Sequence, residues 1–500
     1  MKVLLFRAKP HKETIGLQNV MICEPLELEY VAAYIEKFGH EAIIVDMILE
    51  RKPISYFVRL HNPDVVGFSG YISHVNILRN YAREVKLTNP RIYTIIGGVH
   101  AEVNPQDFES PYVDFIIRAN PLKTFEAILE RLQSGAEDFT NFGANADATD
   151  SANFSANAGA TDSANFGKDA GAQSATPLAA SSEFDDIDCI YRANKTPPVK
   201  ETTFNYPFPA RDKVNKYRAK YYYMFHRNCS LIKTSFGCPY NCKFCFCRQI
   251  TDDKYFARDL DNIVAELESI PETEIYIVDD DFLFNRDRLL DFCDRLKQHN
   301  VHKKYLVYGR ADFIAANEDV IAALKEVGLR AVIVGLESCD SRQLDDYNKR
   351  TNVEINEKAC AILHKYDVEC YGTFILGLDW KWADFKALLR WIKKLGLVFV
   401  NLQPLTPLRG TEMYEAYKDR FIVREDEYEK WDLAHLVVKP TYISSRKYYW
   451  YTIVLYYLVT VNPKSAIYMI RKYGLHDTLK LSFGAALVSH QYFMKLIKGK

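Results

Sequence analysis

The sequence predicts an α/β protein in two parts, a doubly wound open sheet followed by a partial barrel of six strand-and-helix units, with a helical C-terminal segment. Three observations carry this prediction. Short apolar runs alternate with stretches of helical periodicity through residues 2–132 and again through 230–407. Between them, residues 139–182 change abruptly to Ala, Asn, Asp, Ser, Gly and Thr, a composition that cannot build a core. Polar residues also recur just after the apolar runs of the second half, where a barrel presents its functional groups.

In the first half, Lys2 to Phe6 reads as a buried parallel strand and Leu26 to Phe38 as a helix ended by Gly39. Glu41 to Asp46 and Asp64 to Ser69 are strands, a helix runs from about His74 to Leu87, and Ile92 to Ile96 is a strand before Gly97-Gly98. A helix from Pro121 to Leu132 closes a Rossmann-like domain assigned to residues 1–135. Residues 136–185 form an insertion in which Ala-Thr-Asp-Ser-Ala-Asn-Phe occurs at 148–154 and 160–166, with a worn copy at Asn141-Phe142-Gly143-Ala144. One phenylalanine per repeat cannot offset the loss of chain entropy, so a disordered linker or recent expansion is expected. A β-solenoid is the alternative, disfavoured by the near lack of β-branched residues. Residues 186–225 read as a connector, and its Tyr221-Tyr222-Tyr223 is taken as simple packing in preference to an edge strand.

The second half, residues 226–414, predicts six parallel strands of a TIM-type partial (β/α)6 barrel, beginning with the run just before Ser235. The next four end in Asp279-Asp280-Asp281, in Arg310, in Glu337-Ser338 and in Gly377, and the last meets Pro404-Leu405-Thr406-Pro407. Carboxylates unpaired inside a barrel would be costly, whereas at its mouth they can accept hydrogen bonds. Residues 415–500 are helical; Tyr448 to Val461 is apolar but too short to span a bilayer. The lysines and arginines scattered beyond it suit a membrane surface or an apolar substrate, although a packing cap on the barrel rim is the preferred reading.

A chain of 500 residues predicts two or three domains. With 64 basic and 65 acidic side chains nothing draws it to nucleic acid, and none is expected as a partner. Eleven irregularly placed cysteines fit a reducing cytoplasm better than a disulfide framework, and the N-terminus carries no secretory pattern.

The loop Ser235-Phe236-Gly237-Cys238-Pro239-Tyr240-Asn241-Cys242-Lys243-Phe244-Cys245 organises the rest. Three cysteines supply three ligands. Structural zinc closes with four and a protein-held [4Fe-4S] cluster takes four thiolates, so Cys238, Cys242 and Cys245 suggest a cubane with one iron open to chemistry. Cys247 is a fourth thiol nearby, either a spectator or the last ligand of a zinc site.

This Cx3Cx2C pattern resembles the cluster loop of the radical S-adenosylmethionine (SAM) enzymes, and the first half resembles the cobalamin-binding domain that precedes many of their barrels. The resemblance implies that SAM chelates the open iron and is cleaved to a 5'-deoxyadenosyl radical. It places Phe244 near the adenine, Asp280 at the SAM amino group with Asp279 and Asp281 beside it, and Arg310, Glu337 and Ser338 near the carboxylate and ribose. The run Gly372 to Gly377 resembles the adenine segment, Pro407 to Thr411 the loop ending the barrel, and Asn205 to Arg211 the lead into it.

For cobalamin the resemblance implies contacts from Ser69, Gly70, Tyr71, Gly97 and Gly98. The Asp-x-His-x-x-Gly motif of a lower axial histidine is absent, and His74 and His100 read as surface or loop residues. Where members carry an Arg-Gly-Glu-like tract, this chain reads Arg118-Ala119-Asn120-Pro121-Leu122.

The implied activity is cobalamin-dependent methylation of an unactivated carbon in a small or lipid-like substrate, with an electron donor such as flavodoxin or ferredoxin. A non-methylating radical cyclisation, rearrangement or methylthio transfer is the alternative. A cobalamin-binding regulatory protein and an iron-sulfur electron carrier are alternatives of another class; the intact cysteines argue against the first and the missing fourth ligand against the second.

Overall fold

The computed structural model describes residues 1–135, 182–204 and 206–498, so the expectations for the repeats lie outside the described residues. In the first part β1 (Lys2–Arg7), β2 (Glu41–Asp46), β3 (Val65–Ser69), β4 (Tyr93–Gly97) and β5 (Phe115–Ile116) form one parallel sheet in the order β2-β1-β3-β4-β5. Helices α1 (Leu26–Glu36), α2 (Ile54–His61), α3 (Val75–Thr88) and α4 (Pro121–Ser134) connect and flank the strands. Val3, Leu4, Leu5 and Phe6 are all essentially buried, as strands covered on both faces require. The strand order reverses around β1, and ligands of such sheets sit at the carboxyl edge beside that switch point.

Helix α2 has no counterpart in the sequence reading. Its signals are present but short: Pro53 precedes it, Ile54, Phe57 and Val58 are buried on one face, and Asn62 ends it with a left-handed φ of 44° before Pro63.

The second part is an open six-stranded parallel sheet. Strands β6 (Ser230–Ile232), β7 (Glu274–Ile277), β8 (Lys304–Gly309), β9 (Leu329–Glu337), β10 (Glu369–Leu376) and β11 (Phe399–Pro404) pair in sequence order. Helices α5 (Leu260–Ser269), α6 (Arg286–Gln298), α7 (Glu318–Glu326), α8 (Val353–Lys365) and α9 (Trp382–Lys394) alternate with them. Tyr276, Leu306, Ile333, Tyr371 and Phe399 fill the barrel interior.

The connector corrects one expectation. Tyr222–Tyr223 is a strand, the middle one of three, pairing with Met21–Ile22 and His226–Arg227. Tyr223 stacks on Tyr371 at 6.2 Å, so these rings plug the barrel as well as pairing.

At the C-terminus, α10 (Ser445–Thr460), α11 (Pro463–Tyr473) and α12 (Leu475–Lys498) follow. Helix α10 caps the barrel rim: Tyr448 Oη donates to the Leu376 carbonyl at 2.8 Å and Tyr456 Oη bonds both backbone groups of Leu402. Tyr473 of α11 stacks on Phe225 at 3.9 Å beside Phe399. Among the described residues no single helix is long and apolar enough to cross a membrane.

Candidate active site

The cluster loop leaves β6 and is stapled to the end of β7. Thr234 N donates to Asp279 Oδ1 at 2.7 Å and Ser235 Oγ to Asp279 Oδ2 at 2.7 Å, with the carboxylate buried. Asp279 thus staples the loop to the strand end. Gly237 has φ 82°, and a Cβ there would lie 2.0 Å from the Lys254 carbonyl, so glycine alone fits. Its N–H donates to Asp280 Oδ2 at 3.0 Å, leaving that carboxylate partly exposed and 3.6 Å from Lys233 Nζ.

Asp281 differs from both. It is 2 % exposed, neither oxygen has a hydrogen-bond partner, and burial pushes its carboxyl up to about 8 against the pull of Arg310 and Lys349. A buried acid in that state carries its proton near neutral pH and can donate.

The loop's far side is held by residues 347–349. Lys243 N donates to the Tyr347 carbonyl at 3.0 Å and Asn348 Nδ2 to the Asn241 carbonyl at 3.0 Å. Arg310 lies 3.6 Å above the Tyr240 ring, forks onto Asp312 at 2.9 and 3.0 Å, reaches the Lys349 carbonyl and approaches Cys242 Sγ at 3.8 Å. Its donors are used to brace the loop. Burial pushes the Cys238 thiol up to about 12 and raises Cys242, the latter opposed by Lys349 and Arg310. A hydrogen bond with Cys247 lowers Cys245 and raises Cys247.

Among the described residues no three His, Cys, Asp or Glu side chains converge on a point that could hold one ion. Arg310 and Lys349 stand beside Cys242, two cations that would offset the charge of a thiolate-held cluster.

Glu337 pairs with Lys349 at 2.9 Å, both nearly buried. Glu337 sits at φ 57°, where β9 slips register against β10. A side chain at Gly335 would collide with this pair, its Cβ 2.4 Å from Glu337 Oε1 and 2.6 Å from Lys349 Nζ. Strain of this kind persists only where the surroundings over-determine it. Lys349 also lies 5.9 Å from the Phe244 ring, which packs edge-on to Tyr347. Phe244 and Glu337 are thus brought together by a lysine that sequence reasoning missed, since a lysine in a turn between helices is ordinarily solvated.

Ser338 and Gly377 turn inward instead. Ser338 Oγ donates to Gln343 Oε1 at 2.6 Å and accepts from Asp340 N at 3.0 Å. A Cβ on Gly377 would be 2.3 Å from Trp380 Nε1 and 2.7 Å from Gln343 Nε2. Both make these local contacts at their strand ends.

At the carboxyl edge of the first sheet, Ser69, Gly70, Tyr71, Gly97 and Gly98 all line one cavity of about 270 Å³. Its opposite wall is Phe236, Ile250, Thr251 and Phe256, which flank the cysteine loop. Gly98 has φ 98°, and a Cβ would stand 2.7 Å from Ser69 Oγ and 3.0 Å from Gly70 N; Gly97 is open, its nearest neighbour 3.9 Å away. A flat ring can therefore approach the backbone here. Gly70 is small for packing, its Cβ position being 2.8 Å from Leu78 Cδ1. Tyr71 is 57 % exposed, and Tyr308 of β8 lies within electrostatic reach of it and of Asp280 and Cys247. Burial raises Glu102, on the same cavity, to about 7.

The Arg118-Ala119-Asn120 tract has a role at this edge. Asn120, at φ 47°, accepts from Glu201 N at 2.9 Å and so holds the connector whose Lys200 and Glu201 close the cavity. His100 corrects another expectation: it is 6 % exposed and bonds Asp107 Oδ2 at 2.9 Å, while Asp107 Oδ1 accepts from Arg409 Nη1 at 2.8 Å. This chain of contacts ties the first domain to the loop ending the barrel. His74 is half-buried and accepts from the Tyr71 N–H at 3.2 Å. A second, apolar cavity of about 200 Å³ lies beyond Tyr71, between Val99, Phe246, Leu408 and Leu433.

Residues 15–129 match the B12 binding domain and residues 232–392 the radical SAM superfamily. Hopanoid C-3 methylase of Methylococcus capsulatus is 24 % identical over 432 residues, covering 85 % of this chain and 74 % of that protein. The anaerobic magnesium-protoporphyrin IX monomethyl ester cyclase of Rubrivivax gelatinosus is 22 % identical over 455 residues, covering 88 % and 74 %. In fold the chain is similar to the radical SAM methyltransferase TsrM of Kitasatospora setae, a structure with cobalamin and a [4Fe-4S] cluster bound, at 14 % identity and a TM-score of 0.63, covering 100 % of this chain and 99 % of that one.

Proposed function

The chain belongs to the cobalamin-dependent radical SAM enzymes, and on that premise we propose that it methylates an unactivated carbon of a small or lipid-like molecule held between its two domains. In this family the [4Fe-4S] cluster supplies the electron that cleaves SAM and cobalamin carries the methyl group. In our reading Cys238, Cys242 and Cys245 hold the cluster, and Asp280 and Phe244 are the groups left facing SAM. Arg310, Glu337 and Lys349 position the loop and the strand ends around them. Ser69, Tyr71, Gly97 and Gly98 hold cobalamin.

One observation carries the reading: a single cavity is lined both by the five cobalamin-edge residues and by Phe236, Ile250, Thr251 and Phe256 of the cysteine loop and the segment after it. This arrangement supports bringing reacting centres together while excluding water. The apolar cavity behind Phe246 supports an apolar substrate. A small redox protein such as flavodoxin or ferredoxin is the proposed electron source.

The test is anaerobic reconstitution with iron, sulfide and hydroxocobalamin, followed by incubation with SAM carrying a radiolabelled methyl group. Reductive SAM cleavage with label appearing on the corrin is the expected result. Cleavage without label on bound corrin would turn the reading to a non-methylating radical reaction, for which the cyclase relative is the precedent.

A further inference from the structure

We propose that the C-terminal helices dock this protein on an anionic lipid surface. Of the 21 large apolar side chains exposed among the described residues, eleven fall within residues 450–497. Exposed apolar residues are ordinary when scattered and informative when contiguous. On α12, Leu475, Leu479, Phe483, Phe493, Met494 and Ile497 are all exposed, and their spacing puts them on one face of the helix. That stripe extends over roughly 33 Å at ~1.5 Å per residue.

The helix is firmly seated on its other side. Tyr492 is 3 % exposed, Thr478 is buried, and a Cβ on Gly484 would lie 2.2 Å from the Asn19 carbonyl. On α11, Ile467 and Ile470 continue the exposed apolar surface.

Charge identifies the partner. Residues 445–500 contain nine lysines and arginines and one acid, Asp477, in a chain whose formal net charge is -1. Asp477 is already paired with Arg227, and of the nine cations Lys472 is paired with Asp367 and Glu369, leaving the segment strongly cationic. Lys464 and Arg471 are exposed with no acidic partner among the described residues. An apolar stripe bordered by cations matches an interfacial helix on anionic lipid, the stripe entering the acyl boundary and the cations meeting headgroups. A second copy of the chain would bring an equally cationic face and be repelled.

The helices lie on such a surface without crossing it. Among the described residues only α10 and α11 together have the length and composition of a span, and they are bent by 56° with α10 fixed to the barrel rim.

Flotation of the full-length protein with vesicles of phosphatidylcholine alone, or of equal parts phosphatidylcholine and phosphatidylglycerol, tests this. Binding at least about tenfold stronger to the anionic vesicles is expected, weakening with salt. Lys464→Glu with Arg471→Glu should lower it by roughly tenfold or more, and Leu479→Asp with Phe483→Asp should abolish it. Circular dichroism and melting temperature should stay unchanged, because all four side chains are exposed. No binding by the intact protein, binding indifferent to phosphatidylglycerol, or a concentration-dependent dimer broken by the same substitutions would each overturn the proposal.

Discussion

The barrel mouth and the edge of the first sheet prepare for their cofactors in opposite ways. At the mouth, position is enforced by charge: Asp279 staples the cysteine loop, Arg310 forks onto Asp312, and Glu337, itself at positive φ, holds Lys349. At the sheet edge, position is enforced by missing side chains, Gly98 at positive φ and Gly97 open to the cavity. A cluster with its SAM is small, charged and directional, whereas a corrin is broad and flat. Braced ion pairs suit the first and bare backbone the second.

This comparison predicts separable failures. The largest effect should come from removing Cys238, Cys242 or Cys245: iron should fall from about four per chain toward none, with SAM cleavage lost, while corrin binding survives. Iron analysis beside the corrin spectrum checks it.

Next is the brace beneath the mouth. Lys349→Met strands a buried carboxylate and should destabilise the protein by about 3–5 kcal/mol, and pairing it with Glu337→Gln should restore much of that, as read by urea denaturation. Two additive losses would mean that the pair is not coupled.

Smaller again is Gly98→Ala, expected to destabilise by about 1–3 kcal/mol and to weaken corrin binding with iron content unchanged. The smallest concerns Glu102, whose carboxyl is raised by burial to about 7. The folded chain then holds a proton that the unfolded chain has released, so cofactor-free protein should lose stability as pH rises from about 4.5 to 7 and level off above. Glu102→Gln should flatten that slope in thermal melts across pH.

The barrel was legible because its strands are continuous apolar runs between amphipathic helices; Lys304 to Gly309 and Glu369 to Leu376 are strands over the expected residues. The five residues that resemblance points to for cobalamin line one cavity. What escaped depends on distant partners. Tyr222–Tyr223, weighed as an edge strand, becomes a central one because residues 21–22, some two hundred positions earlier, pair on its other side from His226–Arg227. Lys349 and the His100-Asp107-Arg409 chain are burial effects, invisible until helices and loops are packed. Ser338 and Gly377 also carry local contacts that the sequence does not announce, with Gln343 and Trp380 at the strand ends.

The most direct test of a shared cavity is a corrin titration of the iron-loaded protein and of its Gly98→Val variant, followed by the corrin absorption spectrum with iron measured alongside. The account predicts saturable binding in the parent, loss of corrin in the variant, and equal iron and SAM cleavage in both. Corrin retained by a folded Gly98→Val protein, or no corrin bound by the parent, would contradict it.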